Sequence, residues 1–157
     1  MKIAVLGTGN LGKSIAKGLI TNSALTSLYL TKRNVDSLKK DFEGYKTVTL
    51  TTDNIEAVKN SDILIFAVQP AHIEGLLKVI KPHLTEKHIL ISTIAGYDIA
   101  RIEALVGAEH NILRGMPNTA ISVGKSMTCI CSNEAGLKSV KVAQEIFNRL
   151  GHSIVIP

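Results

Sequence analysis

Three glycines between a predicted strand and a predicted helix restrict the fold of this chain more than any other feature. The motif follows the apolar run over residues 2–6 and opens a helical pattern over residues 10–20. It reads Gly7-Thr8-Gly9-Asn10-Leu11-Gly12. In a dinucleotide-binding fingerprint, Gly7 forms the tight turn, Gly9 lets the backbone approach a pyrophosphate and Gly12 lets the helix pack close to the strand. The helix would offer its N–H groups and partial positive charge to the phosphates, whereas the alternative is a glycine turn that only joins strand and helix.

Apolar runs and amphipathic stretches alternate along the rest of the chain. Strands are predicted over residues 2–6, 27–31, 47–50, 62–68, 88–92, 112–114, 126–132 and 152–156. Helices are predicted over residues 10–20, 35–42, 53–59, 71–80, 99–105 and 135–150. This alternation predicts an α/β fold with a Rossmann-like, doubly wound and mostly parallel sheet of about eight strands.

Length and composition indicate one ordinary domain over residues 1–157. The 18 basic and 13 acidic side chains give a net charge of +5, but the basic residues are scattered and tryptophan is absent. Nucleic acid is therefore not an expected partner. No apolar run approaches the roughly 20 residues of a membrane helix, and the start is too short for a signal peptide. We expect a cytoplasmic protein that binds no membrane.

No catalytic group of side chains stands out, so the sequence assigns no catalytic residue. The five histidines are dispersed without metal-ligand spacing, and no metal site is expected. Cys129 and Cys131 have a spacing that suits neither a disulfide nor a redox pair, and we expect two reduced thiols. Hydride transfer needs none of these groups, because the cofactor carries that chemistry.

The end of the second predicted strand indicates which dinucleotide is bound. An NAD site places a carboxylate there to accept from the ribose 2′-hydroxyl. This chain has Thr31-Lys32-Arg33-Asn34 instead, and its first carboxylate is Asp36. The ammonium, guanidinium and short polar side chains would suit a 2′-phosphate, so NADP(H) is predicted in preference to NAD(H). Alternatively, Lys32 and Arg33 are solvated loop charges.

Three later segments follow predicted strands, where open parallel sheets bind ligands. They are Ala67-Val68-Gln69-Pro70, Ser92-Thr93-Ile94-Ala95-Gly96 and Met116-Pro117-Asn118-Thr119. Small residues at these positions would let a flat ring lie against the backbone. Spacing alone does not distinguish them from ordinary turns between a strand and a helix.

Together these segments resemble the cofactor domain of pyrroline-5-carboxylate reductase along essentially the whole chain. The matching stretches are KIAVLGTGNLGKSIAKGL, SDILIFAVQP, ISTIAGYDIARIEALVG and ILRGMPNTAISVGKSMT. Related domains like that of 6-phosphogluconate dehydrogenase share the first stretch. The family reduces the cyclic imine 1-pyrroline-5-carboxylate to L-proline with NADPH or NADH. Gln69 and Ala120 depart from it, standing where the family often has lysine and proline.

The resemblance implies roles for residues at several strand ends. Gly7 through Gly12 would hold the pyrophosphate, and Lys32 and Arg33 would lie near the adenosine ribose. Asn54 would contact the cofactor, or else serve only as part of a helix start. The remaining implied positions are Ala67 to Pro70 along the cofactor, Thr93 to Ala95 beside the nicotinamide, and Asn118 at the floor of the active site.

No part of this chain resembles the family's C-terminal helical domain, which carries the substrate motif and forms the dimer. Full-length family members are homo-oligomers. Because the matching part of this chain lacks the domain that forms the dimer and carries the substrate motif, we expect a monomer that binds cofactor without turning over substrate. Two alternatives stay open. One is a domain like that of the NADP reductase that depends on the deazaflavin coenzyme F420. The other is a non-catalytic NADP(H)-binding module. A stop codon directly after Pro157 would favour this alternative.

Overall fold

The computed structural model describes residues 1–21, 24–118, 120–121 and 124–157, and its core is one eight-stranded sheet. The strand order is β3-β2-β1-β4-β5-β6-β7-β8. The strands are β1 (Lys2–Leu6), β2 (Ser27–Thr31), β3 (Val48–Thr51), β4 (Ile63–Phe66), β5 (Ile89–Ser92), β6 (Asn111–Met116), β7 (Ser126–Ser132) and β8 (Gly151–Val155). The order reverses between β1 and β4, which is the switch point where ligands bind in doubly wound sheets.

Helices connect the strands and cover both faces of the sheet. The α-helices are α1 (Asn10–Leu19), α2 (Asp36–Phe42), α3 (Asn54–Lys59), α4 (Ile73–Ile80), α5 (Ile99–Val106) and α6 (Val140–Asn148). Short 3-10 turns over Pro70–His72 and Ala135–Ser139 lead into α4 and α6. The first turn overlaps the start of a stretch that the sequence pattern predicted to be continuous helix, and the second lies inside another.

Alternate residues of the central strands pack into two separate hydrophobic clusters. Ile3 and Val5 of β1 face one cluster, which also contains apolar residues of α1, α2 and α6. Ala4 and Leu6 face the other, against α3, α4 and α5. Side chains of successive residues in a strand point to opposite faces, so central strands covered on both sides are apolar throughout. The prediction of a mostly parallel, Rossmann-like doubly wound sheet is confirmed.

Two strands, β7 and β8, run against the other six, which the sequence pattern did not specify. β7 pairs antiparallel with β6, whereas all other neighbouring strands are parallel. A parallel connection needs a dozen or more residues, usually including a helix. Residues 117–125, which join β6 and β7, are too few for such a crossover, and the chain therefore turns back.

The described residues contain no helix long and apolar enough to cross a membrane. Cys129 and Cys131 are free thiols, as expected.

Candidate dinucleotide-binding site

The register of the sheet brings the ends of four strands into one row. Leu6 of β1 lies beside Thr31 of β2 and Phe66 of β4, and Thr31 lies beside Thr51 of β3. The residues that follow them are therefore neighbours at the carboxyl edge of the sheet. These residues are Gly7, Lys32, Thr52 and Ala67, which lie far apart in the sequence.

All four line a cleft of about 690 Å³ at the switch point. Nine of the residues predicted to bind cofactor line this cleft, namely Gly7, Gly9, Lys32, Arg33, Asn34, Asn54, Ala67, Val68 and Gln69. The sequence prediction and the geometry therefore converge on one region.

The glycines of the loop meet three different surroundings. Gly7 has φ +83°, and a Cβ there would collide with the Val68 side chain and lie 2.9 Å from its Cα. A Cβ at Gly12 would lie 3.2 Å from the Gly7 carbonyl oxygen, since α1 packs tightly on the turn. A Cβ at Gly9 would meet no protein atom within 4 Å. The protein's own packing thus requires glycine at Gly7 and leaves little room for a side chain at Gly12, whereas the space at Gly9 opens into the cleft.

The hydrogen bonds of the loop leave the first turn of α1 with free donors. The Gly7 N–H donates to Thr31 Oγ1, and the Thr8 N–H donates to the Thr31 carbonyl oxygen at 2.7 Å. No acceptor among the described residues takes the N–H groups of Asn10, Leu11 or Gly12. No acidic side chain lies in this turn either. Three backbone donors at a helix N-terminus suit an anionic group such as a phosphate.

The cations at the end of β2 make no ion pair within the described part of the chain. Neither Lys32 nor Arg33 has a carboxylate within 4.0 Å. The nearest acid in the sequence, Asp36, instead pairs with Lys39 at 2.8 Å, and this contact raises the pKa of Lys39. Asn34 Oδ1 accepts from the Asp36 N–H, so the Asn34 side chain shapes the turn. The two cations therefore keep their charge available to a ligand in the cleft.

Other predicted residues lie outside the cleft lining. Thr8 is buried, and its hydroxyl donates to the Val5 carbonyl oxygen at 3.2 Å. Asn10, Leu11, Gly12 and Pro70 also do not line the cleft. For Thr8 the side chain serves the turn itself, whereas Asn10, Leu11 and Gly12 present backbone N–H groups beside the cleft.

The segment predicted to lie beside the nicotinamide, Thr93 to Ala95, is mostly turned inward. The Thr93 hydroxyl donates to the Phe66 carbonyl oxygen at 2.8 Å, and Ile94 packs in the apolar cluster. Only Ala95 is exposed. Arg114 Nη2 donates to the Ile94 carbonyl oxygen at 3.3 Å, a link that sequence reasoning missed. The cleft thus does not extend along this segment.

Asn118 is exposed and also lies outside the cleft lining. Its side-chain oxygen accepts from the Ala120 N–H at 3.1 Å, and its own N–H donates to Ser126 Oγ. Thr119, the last residue of this predicted segment, lies outside the described residues. The assignment of Asn118 to the floor of an active site stays a prediction.

One wall of the cleft was not predicted at all. It is formed by α4 and the turn before it, through Ala71, His72, Gly75, Leu76 and Val79. Four of these five follow the i, i+3, i+4, i+7 spacing of one helix face. This spacing is present in the sequence. It was overlooked because the more apolar stripe of Ile73, Leu76, Leu77 and Ile80, which packs in the core, dominates the pattern of the same helix.

The comparisons with known proteins agree with this geometry. The model of a family described as "NADP oxidoreductase coenzyme F420-dependent" matches residues 2–96. Pyrroline-5-carboxylate reductase 1 of Dictyostelium discoideum is 42% identical over 98% of this chain, which spans 30% of that relative. The solved pyrroline-5-carboxylate reductase of Coxiella burnetii superposes with a TM-score of 0.92 at 31% identity, over 99% of this chain and 58% of its own.

A further solved relative has a bound cofactor. The pyrroline carboxylate reductase of Plasmodium falciparum, solved with NADP bound, is 28% identical. It superposes with a TM-score of 0.85 over 100% of this chain and 58% of its own. The chain therefore spans between about a third and three fifths of the length of these relatives.

Proposed function

We propose that this chain, which belongs to the family described as "NADP oxidoreductase coenzyme F420-dependent", is the cofactor-binding part of a pyrroline-5-carboxylate reductase. The bound nicotinamide would supply the hydride that, together with a proton, reduces the cyclic imine to L-proline. The observation that carries the proposal is the cleft at the switch point, with open space at Gly9 and free donors at Asn10, Leu11 and Gly12. These features fit a pyrophosphate.

Similarity beyond the family match favours the cyclic imine as substrate. The family model ends at residue 96, whereas the Dictyostelium reductase matches 98% of the chain. The family's description is also consistent with a second function, that of a reductase that transfers hydride between NADP and coenzyme F420. An assay of deazaflavin-dependent NADP reduction distinguishes the two, since activity there would contradict the imine reductase.

The charges at the end of β2 support NADP(H) in preference to NAD(H). Lys32 and Arg33 line the cleft without ion-pair partners in the described structure, and no carboxylate stands where a 2′-hydroxyl would need an acceptor. Titration calorimetry with NADPH and with NADH tests this directly. We expect both to bind and NADPH to bind more tightly.

The variant Arg33→Ala tests the assignment at one residue. Loss of a charge-assisted contact to the 2′-phosphate should weaken NADPH binding about tenfold and leave NADH binding unchanged. The matched control is Lys40→Ala, which removes an exposed cation of α2 that does not line the cleft. Equal losses for the two cofactors would contradict the proposed role of Arg33.

Substrate turnover is proposed to require the part of a full-length reductase that this chain does not span. The resemblance places the donors to the substrate carboxylate in that part, and this chain spans only 30% and 58% of two matched reductases. We expect the chain to be monomeric in sedimentation and to form no proline from 1-pyrroline-5-carboxylate and NADPH. Robust proline formation would refute this assignment.

A further inference from the structure

We infer that Thr31 is a positioning residue that sets both the glycine turn and the cofactor-facing amide of Asn54. The inference rests on the proposed function, because it concerns how the same cleft binds a nucleotide. Thr31 ends β2 and is only 2% exposed, and it lines the inner wall of the cleft.

The Thr31 hydroxyl lies between two groups that come from different parts of the chain. The Gly7 N–H donates to Thr31 Oγ1 at 3.1 Å, and Thr31 Oγ1 donates to Asn54 Oδ1 at 2.6 Å. The shorter distance is typical of an O–H···O bond and is short for an N–H···O bond. Thr31 Oγ1 thus accepts from the Gly7 N–H and donates its own proton to the amide oxygen of Asn54.

This assignment fixes which end of the Asn54 amide is available. With Oδ1 occupied by Thr31, the two N–H donors of Nδ2 have no acceptor among the described residues, and Asn54 lines the cleft. A ribose or phosphate oxygen of a bound nucleotide would supply the missing acceptor. The orientation adds donors to a wall that already holds Lys32 and Arg33.

Thr31 also holds the glycine loop through its main chain. Its carbonyl oxygen accepts from the Thr8 N–H, next to the Gly7 N–H held by its hydroxyl. The first two N–H groups of the motif are thereby directed inward, while those of Asn10, Leu11 and Gly12 stay free. One buried residue thus determines the shape of the phosphate loop and the polarity of the opposite wall.

The test compares Thr31→Val, which removes only the hydroxyl, with Thr31→Ser, which keeps it. We expect Thr31→Val to weaken NADPH binding about tenfold in calorimetry and Thr31→Ser to stay within about threefold of the parent chain. The matched control is Thr128→Val, since Thr128 is fully buried on β7 and does not line the cleft. Its NADPH affinity should be unchanged.

A second variant keeps the test decisive if Thr31→Val fails to fold. Asn54→Asp retains an acceptor for the Thr31 hydroxyl but replaces the two amide donors with a carboxylate oxygen. It should fold as the parent does and bind NADPH at least about tenfold more weakly. In the Asn54→Ala background, Thr31→Val should cause a clearly smaller further loss, because the two residues act together.

The outcomes separate this inference from the proposed function. A parent chain that binds neither NADPH nor NADH overturns the proposed function and the inference with it. A parent that binds NADPH, with Thr31→Val or Asn54→Asp binding equally well, overturns the inference alone. Equal losses in Thr31→Val and Thr31→Ser would do the same, since the hydroxyl would then not be the cause.

Discussion

Gly7 and Gly9 belong to the same short motif, but the structure requires glycine only at Gly7. Gly7 adopts a left-handed φ of +83°, and any side chain there would enter Val68. Gly9 has extended backbone and an empty space where a Cβ would be. At Gly7 the constraint comes from the fold, and at Gly9 we attribute it to the ligand.

Alanine at each glycine separates these two constraints. Gly9→Ala should lower the free energy of unfolding by no more than about 1 kcal/mol, since only the start of α1 is affected. It should weaken NADPH binding at least about tenfold, because the new methyl group occupies the pyrophosphate space. Gly7→Ala should lower the free energy of unfolding by more than about 2 kcal/mol through strain and collision. Urea denaturation and calorimetry measure both, and normal NADPH binding by Gly9→Ala would contradict the assignment.

At the scale of elements, α4 presents two faces to two different environments. Ile73, Leu77 and Ile80 are fully buried against the sheet. Gly75 and Val79 line the cleft, and Val79 is 52% exposed. A large apolar side chain that is half exposed beside a cleft suits contact with the flat adenine ring of a nucleotide. The helix therefore serves the core and the proposed site at once.

The variant Val79→Ser tests the second face of α4. Because Val79 is half exposed and serine has a similar helix propensity, the free energy of unfolding should change by less than about 0.5 kcal/mol. Loss of apolar contact with adenine should weaken NADPH and NADH binding alike, by about threefold to fivefold. Lys78→Ser is the control, since Lys78 is exposed and does not line the cleft. Unchanged affinity in Val79→Ser would place adenine elsewhere.

Across the whole molecule, the helices are held on the sheet by packing, and two helices of the same face are also joined by a small set of charges. Asp41 of α2 pairs with Lys13 at 2.9 Å and with Lys17 at 3.3 Å, both on α1. These contacts hold the pKa of Asp41 below its usual value of 3.8. They connect the helix that begins at the glycine loop to the helix that follows the Lys32 and Arg33 segment.

The lowered pKa of Asp41 predicts a pH dependence with a definite sign. The stabilising contribution is complete above the carboxyl's usual pKa of 3.8 and is lost as the pH falls from there through the lower folded-state value. Asp41→Asn should therefore reduce stability at neutral pH but show a shallower loss on acidification. Asp62→Asn is the control, because Asp62 makes no ion pair within the described residues. Parallel stability curves for the parent and Asp41→Asn would contradict the role of this ion pair.

Local sequence pattern was sufficient for the order of strands and helices and for the turn at Gly7. Apolar residues repeat every 2 positions in a strand and every 3.6 in a helix, and a glycine separates the two patterns here. Because these features span only a few residues, they can be recognised without the fold. The short connection over residues 117–125 also contained the reason for the antiparallel β7, although the strand pattern alone did not specify it. Most element ends differed by a residue or two, as in β3, where terminal pairing depends on the neighbouring strand, but α6 begins five residues later than predicted.

Only the tertiary structure decided which residues meet in the cleft. Sheet register placed Gly7 beside Lys32 and Ala67, and it is set by contacts between segments distant in the sequence. The Thr31 hydroxyl could find Asn54 only after β2 and the start of α3 had come together. Only the structure shows that one face of α4 packs in the core while the neighbouring face lines the cleft. Local pattern thus predicts where the proposed nucleotide site lies, while long-range packing determines which side chains face it.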